Sequence, residues 1–131
     1  MMSVVVCFGA AQQKKVTESA GKANAEHGRY IVENVAMCVQ CHTPREADGT
    51  LIRSRLFDGA PIPVGKPSQM SVWAEYAPRI AGLPQYSEAE TMRLLTTGIG
   101  RGGTPLRSPM PTFKMSQQDA SDVVAYLKSL E

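Results

Sequence analysis

Residues Cys38 to His42 read CVQCH, two thiols separated by two residues with an imidazole directly after the second. Such side chains bind a metal ion, form a disulfide, act as a nucleophile or attach a cofactor covalently. Each of these uses needs different residues elsewhere in the chain. The other residues of the sequence therefore decide between them.

The sequence gives little support to a zinc site or a redox disulfide. A structural zinc site takes four Cys and His ligands, usually as two separated pairs, and this chain has no second pair. A redox disulfide of the thioredoxin kind lies where a strand meets a helix. Residues 18–37 instead have small and apolar residues at helical spacing, which predicts an amphipathic helix running into the motif.

The pattern Cys-x-x-Cys-His is the attachment signature of a c-type haem. On a turn of helix Cys38 and Cys41 lie on one face, where they can form thioethers with two neighbouring pyrroles. His42 follows directly and is predicted to bind the iron. A Met from the opposite side would complete the ligand pair of a high-potential electron-transfer haem.

Met110 is the predicted second iron ligand. It stands between Pro109 and Pro111, which hold the backbone extended and keep it out of the flanking helices. A stiff loop of this kind suits a fixed bond to iron.

Four other Met residues follow the first eleven residues of the chain. Met37 adjoins the first thiol and is too near to reach the opposite side of a haem. Met92 lies in a predicted helix that is capped at both ends, and is read as core packing. Met115, before a predicted helix, and Met70, in a loop, are the alternatives to Met110.

Residues 116–131 predict a terminal amphipathic helix with Ser116 as its N-cap. One face carries an apolar stripe, namely Ala120, Val123, Val124, Leu127 and Leu130. We expect this helix to pack across Gly28 of the first helix. His27, the only His outside the motif, is predicted as a surface or lightly packed helix residue.

Together CVQCHTPREADG, the Pro-flanked Met110 and the terminal DVVAYLKSL resemble class I c-type cytochromes. They are most similar to single-haem domains that occur alone or in electron-transfer subunits of bacterial dehydrogenases, where CxxCHTPR, TGIG and MP recur in that order. The resemblance covers roughly residues 26–130 and implies an all-α cytochrome c fold around one covalent haem c. It makes Cys38 and Cys41 the thioether donors, and His42 and Met110 the axial iron ligands. The cytochrome c domain itself is predicted over residues 12–131.

The long segment from Thr43 to Ala77 is predicted to wrap the haem edge. Trp73 and Arg79 are the predicted donors to the haem propionates, since Trp offers one N–H and Arg a bidentate fork. The carbonyl that accepts the His42 Nδ1 proton is expected at one of three prolines, namely Pro44, Pro61 and Pro63.

Residues 1–11, MMSVVVCFGAA, form a short apolar run that ends in small residues. This pattern predicts the remnant of an export signal and therefore a periplasmic protein. The run is too short to span a bilayer, which takes roughly 20 residues. No membrane span is expected in the mature chain.

The charge pattern points to a protein partner. The net charge is +2, with cations spread among acids, so nucleic acid is not an expected partner. Residues 92–117 carry four cations and no acid, which indicates a basic surface for an acidic redox partner.

The predicted function is that of a one-electron carrier rather than an enzyme, since no catalytic set of Ser, His and Asp or of paired carboxylates is evident. Two alternatives remain open. One is an electron-transfer subunit of a dehydrogenase or oxidase complex. The other is a peroxidase or gas-binding haem protein in which Met110 leaves the iron.

Overall fold

The protein is described by a computed structural model over residues 21–130, and the predicted export signal at residues 1–11 lies outside the described residues. The described residues confirm the predicted all-α class, and they also contain one short two-stranded sheet. Its elements in chain order are α1 (Ala25–Tyr30), α2 (Cys38–His42), β1 (Ala60–Pro61), β2 (Tyr76–Ala77), α3 (Glu88–Thr97) and α4 (Gln117–Lys128). A π-helical turn, Ile31–Val35, follows α1, and 3-10 turns lie at Arg53–Arg55 and Arg101–Gly103.

The first helix does not run unbroken into the motif, so that part of the prediction is wrong. Its N-cap is Asn24, whose side chain accepts the backbone N–H groups of Glu26 and His27. After the π-helical turn, Met37 has a left-handed backbone with φ of 56°. A left-handed residue cannot continue a right-handed helix, so the chain turns there and α2 starts in a new direction.

Helix α4 crosses α1 at Gly28, as predicted. A Cβ atom on Gly28 would overlap the backbone carbonyl of Asp122, so only glycine allows this approach. The predicted apolar stripe faces the core: Ala120, Val123, Val124 and Leu127 are buried, and Leu130 packs against them. The two helices that are farthest apart in sequence thus share one interface.

Helix α3 has the caps that its sequence predicts. Ser87 and Glu90 form a reciprocal capping box, and Gly98 ends the helix with φ of 78°. Leu94 and Leu95 of this helix join the core cluster that also contains Phe57, Val123 and Leu127.

The chain between α2 and α3 has few regular elements and is held by single backbone hydrogen bonds. β1 pairs antiparallel with β2, and the N–H of Gly59 donates to the carbonyl of His42 at 2.8 Å. These bonds bring the residues after β2 back against α2. Within the described residues, no helix is long and apolar enough to cross a bilayer.

Candidate functional site

A cavity of about 610 Å³ lies between α2, the chain before α3 and the loop that follows α3. Its wall includes Cys38, Cys41 and His42 on α2, and Met110 on the loop. Apolar side chains form much of the remaining wall, including Ile62, Val64, Ile80, Leu83, Leu94, Leu95, Leu106, Phe113, Val123 and Leu127. The fold thus brings all four predicted haem and iron ligands to one cavity.

The two motif cysteines form no disulfide with each other. Burial raises the pKa of Cys38 to about 11, and the neighbouring Cys41 adds to this rise against an opposing backbone hydrogen bond. A thiol with such a pKa is protonated at neutral pH, whereas a nucleophile or a metal ligand needs the thiolate. The environment of Cys38 therefore does not activate it as a nucleophile.

His42 is almost fully buried, and its Nδ1 lies 2.7 Å from the carbonyl oxygen of Pro78. A carbonyl can only accept, so this bond places the ring proton on Nδ1 and leaves the Nε2 lone pair available to a metal. Burial lowers the pKa of His42, although the Pro78 bond opposes the change. The imidazole is thus held neutral, the form that binds iron.

The expectation that Pro44, Pro61 or Pro63 accepts the Nδ1 proton is wrong. The acceptor is Pro78, which is 36 residues from His42 and follows β2. The β1–β2 pairing and the Gly59 bond to His42 bring this residue into place. No local sequence signal marks such a long-range contact.

Met110 is half-buried on the loop between α3 and α4. Its backbone N–H donates to the Arg107 carbonyl at 3.1 Å, and the N–H of Met115 donates to the Leu95 carbonyl at 3.0 Å. The first bond closes a turn within the loop, and the second ties the end of the loop to α3. Met110 itself lies in a non-helical segment, as the flanking prolines predict.

The other Met side chains and His27 have different surroundings. Met92 and Met115 are partly buried against the core, while Met70 lines a separate shallow depression of about 480 Å³. Met37 also lines the cavity, next to the first thiol. His27 is away from the cavity wall and its Nδ1 donates to Asp122 Oδ2 at 2.7 Å.

The two predicted propionate donors are placed differently. Arg79 lines the cavity, and its guanidinium also donates to Asp58 Oδ1 at 2.8 Å and to the Ala81 carbonyl at 3.1 Å. Trp73 is half-buried beside Ala74, which lines the cavity, but Trp73 itself is not part of the wall. Sequence reasoning missed Asp58, the partner of Arg79. Both propionate roles stay predictions.

The donor set and the wall of this cavity fit a c-type haem. Two thiols one helical turn apart, a neutral imidazole and a thioether are the groups that attach a haem and bind its iron, and the wall is apolar. Within residues 21–130, no group of three or more His, Cys, Asp and Glu side chains is placed to hold a metal ion.

Comparison with known proteins identifies the family. Residues 25–131 match the family described as Cytochrome c. The chain is also 29% identical over 108 residues to a protein of Cereibacter sphaeroides named "Diheme cytochrome c-type", a match that covers 79% of this chain and 34% of the relative. The chain thus spans about a third of that relative's length. This chain belongs to the cytochrome c family, haem proteins that carry electrons and hold their iron in a covalently attached haem c.

Proposed function

We propose that this chain is a monohaem electron carrier in which Cys38 and Cys41 attach the haem, and His42 and Met110 bind the iron. The observation that carries the proposal is the single cavity that collects these four side chains. The chain has three cysteines in all, so it has one attachment motif. When bound, the haem would supply an iron that exchanges one electron between two oxidation states.

The residues around the cavity suit electron transfer better than catalysis. The mostly apolar wall would limit the water around a bound haem and so keep the surroundings of its iron nearly unchanged between oxidation states. The bond to Pro78 holds the His42 ring in one orientation and leaves its Nε2 lone pair available to iron. Two protein ligands leave no open position for a substrate, which favours a carrier over a peroxidase or a gas-binding protein.

The haem count tests this proposal. We expect one covalently attached haem per chain by mass spectrometry of the denatured protein, and a reversible one-electron redox titration. A Cys38→Ser, Cys41→Ser double variant should lose covalent haem, while Met92→Leu, which changes a Met outside the cavity wall, should retain it. Two haems per chain would refute the monohaem assignment, and haem that acid extraction removes from the unmodified protein would refute covalent attachment by Cys38 and Cys41.

We propose further that the electron leaves through a basic face that docks an acidic redox partner. Of the four cations in residues 92–117, Arg93 donates to the Gly100 carbonyl and Arg101 pairs with Glu90 at 3.4 Å. Arg107 and Lys114 are exposed, and within the described residues neither forms an ion pair. Arg107 also lines the cavity, so a cation without an ion pair among residues 21–130 lies beside the proposed haem site.

A second candidate, an electron-transfer subunit of a dehydrogenase or oxidase complex, is favoured by exposed apolar side chains outside the cavity wall. Tyr30, Val35 and Val72 are not part of that wall, and their exposed fractions are 56%, 60% and 58%. Apolar groups at such positions are typical of a docking interface. A lasting complex would bury them, whereas a free carrier would expose them to each partner in turn.

The salt dependence of electron transfer separates the two candidates. For a free carrier we expect the bimolecular rate with an acidic partner protein to fall as salt rises, and Arg107→Gln to reduce it at low salt. Lys22→Gln removes an equal charge from a residue outside the cavity wall and serves as the control. Co-purification with a large enzyme and rates that ignore salt would favour the subunit.

We also propose that the protein is exported to the periplasm and that residues 12–131 form the mature cytochrome domain. The small residues at the end of residues 1–11 support this proposal. Mass spectrometry of the protein from its native host should give a mature chain that begins at Gln12. A chain that retains residues 1–11 would contradict the proposed cleavage.

A further inference from the structure

The hydrogen bond from His42 to Pro78 is one of several that connect three chain segments. These are the end of α2, residues 57–59 and residues 78–81. The His42 carbonyl accepts the N–H of Gly59 at 2.8 Å, and its Nδ1 donates to the Pro78 carbonyl at 2.7 Å. The N–H groups of Ile80 and Ala81 in turn donate to the Phe57 carbonyl at 2.9 and 3.2 Å. The position of the Pro78 carbonyl therefore depends on how residues 57–59 hold residues 78–81.

One ion pair spans these two segments. The guanidinium of Arg79 donates to Asp58 Oδ1 at 2.8 Å, and its Nε donates to the Ala81 carbonyl at 3.1 Å. Arg79 directly follows Pro78, and Asp58 directly precedes Gly59, so the pair links the residues next to both His42 contacts. The other carboxylate oxygen of Asp58 accepts Arg55 Nε at 3.2 Å, a contact within its own segment.

The packing at Gly59 shows how closely the two segments approach. A Cβ atom on Gly59 would lie 2.7 Å from the Arg79 nitrogen and 3.0 Å from the Pro78 carbonyl carbon, and Gly59 has φ of 87°. The backbones thus touch beside the ion pair. At this separation, a small displacement of residues 78–79 changes the geometry of the His42 bond.

We propose that Asp58 and Arg79 are positioning residues that hold the Pro78 carbonyl on His42 Nδ1 and so set the electron-donating strength of His42 as an iron ligand. A partner of the second ring nitrogen raises the basicity of a ligating His. Weakening that bond makes the imidazole a poorer donor to oxidised iron, which raises the reduction potential. The proposal rests on the proposed ligand role of His42.

Proton exchange at His42 Nδ1 tests the proposal in the reduced holoprotein by NMR. We expect Asp58→Asn and Arg79→Gln each to accelerate exchange about two- to fivefold, the range for a partly exposed ion pair. The double variant should be no faster than the faster single variant, because both changes break one contact. Arg55→Gln, which removes the other partner of Asp58, is the matched control and should exchange at the original rate.

The reduction potential gives a second readout that a purely electrostatic effect would move differently. Asp58→Asn removes a negative charge and Arg79→Gln a positive one, so charge alone would shift the potential in opposite directions. Loss of positioning should raise it in both variants. Opposite shifts, unchanged exchange in either variant, or equal acceleration by Arg55→Gln would each overturn the proposal.

Failure of the proposed function would be visible separately. If His42 did not bind iron, the unmodified protein would lack the six-coordinate spectrum before any substitution was made. If only the positioning role failed, that spectrum would remain and the exchange rates would not change.

Discussion

The two walls of the cavity are built in different ways. The wall that carries His42 lies on α2, which packs against the π-helical turn that continues α1, and α1 in turn crosses α4 at Gly28. His42 itself is bonded through its ring and its carbonyl. The wall that carries Met110 is a loop that is tied by isolated backbone bonds on either side. The first wall is thus fixed by packing and by several bonds, and the second by the stiffness of its prolines. We expect changes to the first to affect stability and changes to the second to affect ligation.

The largest loss of stability should come from a change at Gly28, where α1 and α4 cross. In Gly28→Ala the new methyl group overlaps the Asp122 backbone, which cannot move as a side chain can. Even after the gain in helix propensity, we expect the free energy of unfolding to fall by at least about 2 kcal/mol. Urea denaturation of the holoprotein measures this.

The matched control for that change is Gly65→Ala. No atom lies within 4 Å of the added Cβ there, and the backbone of Gly65 is not left-handed. Its stability should change by less than about 1 kcal/mol. Equal losses in the two variants would contradict the tight crossing of α1 and α4.

A second, smaller effect is expected at Gly98, where the loop that carries Met110 begins. Gly98 and Gly102 both have left-handed backbones, with φ of 78° and 69°, so an Ala at either site should cost about 1 kcal/mol. At Gly98 alone the new Cβ would also overlap the Thr112 methyl group, two residues from Met110. Gly98→Ala should therefore weaken the sulfur-to-iron absorption band, while Gly102→Ala should leave it unchanged.

Removing the Thr112 methyl group should reverse the effect of Gly98→Ala on the absorption band. Adding Thr112→Ser to Gly98→Ala deletes the overlapping atom and should restore the band without restoring the backbone strain. A band that survives Gly98→Ala alone would show that the start of the loop does not control Met110.

The smallest of these effects concerns pH. Burial alone would raise the pKa of Asp122, but hydrogen bonds from the Asn24 N–H, His27 and Gln118 outweigh it and lower the pKa. Because the pKa is lower in the folded state, the carboxylate stabilises the fold at neutral pH. That contribution is lost as the pH falls below the ordinary aspartate range and through the lower pKa of the folded state.

Asp122→Asn should therefore cost about 1 kcal/mol at pH 7 and less at pH 3. Urea denaturation of both proteins at the two pH values measures the difference, in which contributions common to both proteins cancel. Asp119 lies 4.0 Å from the same His27 nitrogen, and Asp119→Asn is the control for a nearby exposed charge. A cost that is equal at both pH values would argue against a role for the charge of Asp122.

The features that could be predicted from the sequence involve residues that lie close together along the chain. One turn of helix relates Cys38, Cys41 and His42, and adjacent prolines mark Met110. The Ser87–Glu90 cap is equally local, and an apolar stripe is enough to orient α4. These features follow from nearest neighbours along the chain, so the sequence alone contains them.

The contacts that sequence could not predict join distant residues through the backbone. Pro78 accepts from His42 through a carbonyl that any residue would supply, so its identity carries no signal. Asp58 and Arg79 are 21 residues apart in a segment without periodicity. The left-handed Met37 is likewise set by the change of direction before α2 rather than by its own side chain.

The central claim is that His42 and Met110 together bind the iron, and the absorption spectrum of oxidised and reduced holoprotein tests it most directly. We predict a low-spin spectrum with the weak sulfur-to-iron band at the red end, which Met110→Ala abolishes and Met70→Ala preserves. A high-spin spectrum in the unmodified protein, or a band indifferent to Met110→Ala, would contradict the claim.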